Sequence, residues 1–231
     1  LAYDLDEGFP RTKGFSASLS PSAMSAAGND VPSNWCFPRS VYLEDPIQWG
    51  TPGGENTECD EPVDQCRLQS PVSIPNAELG IDGEYRDAIE IYGRVREDGL
   101  TDRTSSNDAP GLVRAQLGFG ARGSNPNQGN GWIWIYARPN SDYNANTGGE
   151  RSFDEYVATL YVPTPGQYDF AYRFSVDGGR NWTYCDGGDA GSSDGYDIDD
   201  AGQLNAQPPS APCESDPCAV PPRGVCEGSI A

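Results

Sequence analysis

The sequence predicts an all-β fold, on three observations. Apolar and polar residues alternate with a period of two through residues 87–185. No segment there carries a helical period. Glycine and proline number 28 and 20 in 231 residues, too many turn formers for a helical bundle.

Each strand follows from its own pattern. A short one is expected near Val72–Ile74. Ile89, Ile91 and Val95 alternate with Glu90, Arg94 and Arg96, and Val113, Ala115, Leu117 and Phe119 with Arg114, Gln116 and Gly118. The run Trp132-Ile133-Trp134-Ile135-Tyr136 follows. Then Tyr156, Ala158, Leu160 and Val162 alternate with Val157, Thr159 and Tyr161. The strongest strand is Tyr168–Val176, with Tyr168, Phe170, Tyr172 and Phe174 on one face. Asp177-Gly178-Gly179 turns the chain into Trp182–Cys185. Clusters of Gly, Pro, Asn and Asp separate these segments.

About seven short strands between turn clusters predict an immunoglobulin- or fibronectin-III-like β-sandwich over residues 66–200. Pro165-Gly166-Gln167 places Tyr168 where the chain crosses between sheets, as a corner tyrosine or as plain core. Residues 1–65 read as a long loop-rich extension anchored by Trp35, Phe37, Tyr42 and Trp49. Residues 201–231 read as a Pro/Cys-rich tail.

Composition narrows the function. Fifteen basic against 35 acidic residues give a net charge of −20, which repels nucleic-acid backbones and anionic membranes. The chain has no histidine, which removes Ser-His and Cys-His catalysis and histidine-ligated metals. Lys13 is the single lysine, and no phosphate-binding glycine loop surrounds it. No carboxylate pair stands out among 35. A non-catalytic protein is expected, with no cofactor apart from calcium.

The compartment follows from the cysteines. Cys36, Cys59, Cys66, Cys185, Cys213, Cys218 and Cys226 contain no CxxC pair. Six of them can form three bridges, with the odd one free or bonded to another chain. That usage fits an oxidising compartment. The chain starts at Leu1 and has no run of 18 apolar residues, so it reads as a mature secreted protein, extracellular or on the cell surface, without membrane insertion. Asn181-Trp182-Thr183 is a glycosylation sequon or an ordinary strand segment.

Cys66-Arg67-Leu68-Gln69, Ile91-Tyr92-Gly93-Arg94-Val95, Ala115-Gln116-Leu117-Gly118-Phe119-Gly120 and Tyr168–Cys185 together resemble a repeated pattern in secreted and surface proteins of myxobacteria. The resemblance spans roughly residues 62–200. It implies an exported sandwich domain and a bridge between Cys66 and Cys185, and it implies no activity. More weakly, Tyr168–Gly178 followed by Trp182 is similar to starch-binding sandwich modules.

Two functions follow. In the first, Phe15-Ser16-Ala17-Ser18-Leu19-Ser20 alternates apolar and polar residues as a half-buried strand ahead of a flexible tether. Phe15, Ala17 and Leu19 would fill an edge of their own chain or of a neighbour. The second arrangement is strand donation, and repetition of it builds a homopolymeric fibre or surface layer. In the alternative, Trp132, Trp134, Trp182 and Tyr184 stack on the sugars of a polysaccharide. Trp132 and Trp134 share one strand face, so they are exposed together if Ile133 and Ile135 face the core, and the reverse assignment buries them. The acidic loop with Asp186, Asp189, Asp194, Asp197, Asp199 and Asp200 offers hard oxygen ligands for calcium, or is simply solvated.

Overall fold

A computed structural model describes residues 9–11, 13–44, 46–59, 61–79, 89–129, 131–147, 150–188 and 190–208. Its strands in chain order are β1 (Ser18–Leu19), β2 (Trp35–Cys36), β3 (Val41–Glu44), β4 (Ile47–Trp49), β5 (Gln65–Ser70), β6 (Ser73–Glu78) and β7 (Ile89–Arg96). They continue with β8 (Arg114–Ala121), β9 (Ile133–Tyr136), β10 (Arg138–Pro139), β11 (Asp154–Leu160), β12 (Gly166–Ser175), β13 (Thr183–Cys185) and β14 (Gly202–Gln207). The only helical pieces among the described residues are single 3-10 turns. The fold is all-β.

Two sheets carry the core. One has the order β10-β11-β7-β5. The other has six strands in the order β6-β14-β12-β8-β9, with β13 also pairing β12. All pairs are antiparallel except β14 with β6. The chain changes sheets between β5 and β6 at the cis bond Ser70–Pro71.

The period-two patterns explain the packing. Phe170, Tyr172 and Phe174 are all 0% exposed on one face of β12. They meet Ile91 and Val95 of β7, Tyr156 and Leu160 of β11, and Leu117 of β8 in one cluster. Burying each such side chain contributes about 1.5–3 kcal/mol. The Tyr172 hydroxyl crosses between the sheets and donates to the carbonyl of Ile91 at 2.7 Å. Tyr168 lies at the rim, where its hydroxyl donates back to the Thr164 carbonyl at 3.0 Å.

Sequence and structure differ at the ends of the two-sheet core. The segment 202–207, read as tail, is strand β14, paired to β12 over Gly166–Phe170. Cys66 of β5 bonds Cys185 of β13, as the resemblance implied. Cys36 bonds Cys59, a pairing the sequence left open. Cys213, Cys218 and Cys226 lie outside the described residues.

The N-terminal extension is a layer rather than a loose tether. Arg39, 7% exposed, pairs with the buried Glu97 at 2.8 Å and donates to the Glu61 carbonyl. Burial raises the Glu97 carboxyl, and the Arg39 guanidinium beside it opposes the rise. Arg180 donates to the Trp35 carbonyl at 2.7 Å, a second tie to the two-sheet core.

Asp154 at the head of β11 is 0% exposed. Its two oxygens accept the backbone N–H groups of Asp108 and Ala109 at 2.9 and 3.1 Å, and Ala109 has a φ of 41°. Burial pushes this carboxyl up to about 7. The folded state therefore holds the proton more tightly than the unfolded chain. The carboxyl's contribution is greatest below the ordinary aspartate pKa of about 4 and is lost as pH rises toward 7. Wild-type protein is expected to gain thermal stability from pH 7.5 to 5, with up to about 1.4 kcal/mol per pH unit from this group. Glu97, Asp169 and Asp186, also raised by burial, add in the same direction. Melting curves of Asp154→Asn should show a shallower pH dependence. An identical slope would assign the effect to other groups.

Candidate functional site

The leading segment pairs with its own chain. Ser18 and Leu19 lie opposite Cys36 and Trp35, and Phe15 forms a parallel bridge with Trp49. The Phe15 ring stacks on Trp49 and meets Phe37 edge-on, both at 5.4 Å between centroids. The expected apolar face is reversed beyond Phe15. Ser18 and Ser20 are buried, Ala17 is exposed and Leu19 is half-buried. The cause is polar: Ser20 donates to the Glu58 carboxylate and accepts the Cys59 N–H at 3.1 Å. Bonds from the Ser20 and Ser22 hydroxyls hold the Glu58 carboxyl below its usual range. The Asn56 amide donates to the Leu19 carbonyl at 3.0 Å. The Cys36–Cys59 loop thus grips a segment that itself contains no cysteine.

The aromatic residues named from sequence converge. Ile135 packs against the core and the two tryptophans take the outer face of the six-stranded sheet; Ile133 at the sheet's end remains 52% exposed. Glycines in β8 make room for the indoles. A Cβ at Gly118 would fall 2.4 Å from the Trp134 ring, and one at Gly120 would fall 2.6 Å from the Trp132 nitrogen. Trp132 and Trp134 stack at 5.5 Å with 22° between their planes. Tyr184 of β13 lies 5.6 Å from Trp134.

Arg173 of β12 completes the group. Its guanidinium carbon lies 4.2 Å from the Trp134 ring centre and 4.4 Å from that of Trp182. Two of its nitrogens, Nε and Nη2, donate to Gln116 Oε1 at 2.8 and 2.6 Å. A neutral acceptor thus fixes a cation between two indoles, an arrangement worth about 0.5–2 kcal/mol per ring. Among the described residues Arg173 has no carboxylate partner. No acceptor there takes the donors Nη1 of Arg173, Nε1 of Trp134 and Trp182, or the Tyr184 hydroxyl. At the other end, the Trp132 Nε1 and the Tyr196 hydroxyl are buried without a hydrogen-bond partner, and burial raises the Tyr196 phenol. Beside Trp182 a cleft of about 200 Å³ opens between Glu61, Asp177 and Asn181.

Sequence reasoning missed Arg173, Gln116 and the two glycines, although a signal existed. They occupy the outward phase of strands whose inward phase is strongly apolar, beside the Trp132/Trp134 pair. The sequon residues have structural roles. Asn181 donates its side-chain amide to Asp177 at 2.8 Å, and Thr183 accepts the Val63 N–H at 3.1 Å.

In the acidic loop the described carboxylates do not gather at one point. Asp186 is buried and spends its oxygens on the N–H groups of Gly188 and Asp197, at 3.1 and 2.7 Å. Asp197 accepts the Asp199 N–H at 2.9 Å, and Asp194, Asp197 and Asp199 are exposed. The carboxylates of Asp186 and Asp197 serve turns. Among the described residues no three metal-capable side chains converge. Asp189 lies outside them. No described helix is long and apolar enough to cross a membrane. The two bridges point to an oxidising environment. The chain matches no protein-family model and none of the curated proteins.

Proposed function

We propose that this chain is a non-catalytic, extracellular immunoglobulin-like module that binds polysaccharide on the outer face of its six-stranded sheet. One observation carries the reading: Trp132, Trp134, Trp182 and Tyr184 gather around an arginine that has no carboxylate partner among the described residues. A sugar chain presents apolar C–H faces and many oxygen acceptors. The ladder offers aromatic edges with a row of unpaired donors, and the cleft beside Trp182 gives a concave margin. Its inner ring surfaces are turned to one another, so contact falls on the outer members and the donor row.

The finer fold assignment rests on strand order. A four-stranded sheet faces a second sheet whose first strand runs parallel to the last, and Tyr168 bonds back at the corner before β12. Export is supported by the two bridges. A fibre built by residues 15–20 would first have to open the contacts with Cys36, Trp49 and Glu58.

Affinity electrophoresis through gels cast with neutral or uronic-acid polysaccharides tests the proposal. The wild type is expected to be retarded by at least one of them. Trp182→Ala and Arg173→Ala should each weaken retention about tenfold while the protein stays folded. Free migration through every gel, or undiminished retention of both variants, would refute it.

A further inference from the structure

We infer that β9 is a pairing edge for a second copy of this chain. Among the described residues five strands of the two sheets are paired on one side alone, and four of them are protected. β13 has three residues and is tied to β5 through Cys185. β10 has two residues, one of them Pro139. β5 carries a bulge between Leu68 and Ser70, and its outward backbone groups are taken by the Asp186 carbonyl and the Ser192 hydroxyl. β6 contains Pro75 and ends in Glu78. These are devices that keep sheet edges from pairing with other chains. β9 has none: Ile133-Trp134-Ile135-Tyr136 holds no charge and no proline, and its register with β8 is unbroken.

The hydrogen-bond phase shows which groups this edge presents. The Ala137 N–H donates to the Ala115 carbonyl at 2.9 Å. With Leu117 opposite Ile135 and Phe119 opposite Ile133, the inward-bonded residues of this strand are 133, 135 and 137. The backbone groups of Trp134 and Tyr136 therefore point away from the sheet. Tyr136 is 76% exposed and Ile133 is 52% exposed.

Charge favours a second copy as the occupant. Two molecules of net charge −20 repel over most of their surface. Between Asp108 and Asp142, however, the sequence has no carboxylate, and it has three arginines, Arg114, Arg122 and Arg138. β8 and β9 lie inside this stretch, and Arg122 and Arg138 pair with Asp169 and Glu90 of neighbouring strands, so charge along this edge is locally matched and adds little to the repulsion between two acidic chains. A two-fold axis at Ile135 sets Trp134 of each copy opposite Tyr136 of the other, so both outward residues of both strands are used. The two six-stranded sheets then become one, with both aromatic ladders on the same side. A bivalent face of that kind binds a repeating polymer with avidity.

Sedimentation equilibrium of the full chain over a concentration series tests the edge. The apparent mass should rise from 24.8 kDa toward twice that value. Tyr136→Pro removes an outward N–H and no bond to β8, so it should keep the fold and weaken association at least about tenfold. Ile133→Lys should do the same by adding a charge. A wild type that stays at 24.8 kDa up to about 1 mM overturns the inference. So does association of both variants as strong as that of the wild type, which would place the contact elsewhere.

Discussion

Replacing Cys66 and Cys185 together by alanine is expected to lower the stability by about 5 kcal/mol. The bridge closes a loop with a sequence separation of 119, and both cysteines are 0% exposed. It joins β5 of the four-stranded sheet to β13, which pairs with β12 of the other. Without it, the unfolded chain regains the freedom that a long closed loop denies it. Cys36–Cys59, with a separation of 23, restrains a shorter loop, for which the same relation gives about 3 kcal/mol. Its removal should first loosen residues 18–22, which hang on Glu58 and Cys59. Urea titrations of the two double variants measure both effects. Equal losses would refute the chain-entropy account.

The all-β fold was legible because its strongest strand is unambiguous. A face of Tyr168, Phe170, Tyr172 and Phe174 has nowhere to go but a core. The pair Trp132 and Trp134 was legible for the same reason, since period two puts them on one side whichever side that is. What escaped reading was close approach. β14 alternates Gly202, Leu204 and Ala206 with Gln203, Asn205 and Gln207, a pattern too weakly apolar to stand out. Gly202 is there because the Phe170 ring lies where a side chain would be: a Cβ would fall 2.3 Å from it. Residues 15–20 show the converse limit. Alternation identified an extended segment and misplaced its buried side, because hydroxyls bonded to Glu58 and Cys59 are as acceptable inside as Ala17 and Leu19. In the acidic loop, composition and geometry give different information. Composition counts carboxylates, whereas a metal needs several aimed at one point, and Asp186 is aimed at backbone N–H groups instead.

Gly93→Ala tests the close-approach argument at the centre of the core, and it is expected to cost about 3 kcal/mol. Gly93 is buried mid-strand in β7, opposite Leu68 of β5 on one side and Tyr156 of β11 on the other. A Cβ there would stand 2.5 Å from Cγ of Tyr172. Tyr172 cannot swing aside, since it is 0% exposed, stacks on Phe174 at 5.5 Å and is tethered through its hydroxyl to Ile91. The strand cannot retreat either, being held by ladders on both edges. Gly111→Ala is the matched control, because nothing lies within 4 Å of its Cβ. That change should be neutral or stabilise by up to about 1 kcal/mol, by restricting the unfolded chain. Chemical denaturation of both variants separates packing from backbone entropy. A double variant with Tyr172→Leu sharpens the test: shrinking the ring should recover part of the Gly93→Ala loss, with a coupling of about 1 kcal/mol or more. If Gly93→Ala melts with the control, the ring does not rest on that glycine, and the two sheets do not meet as described.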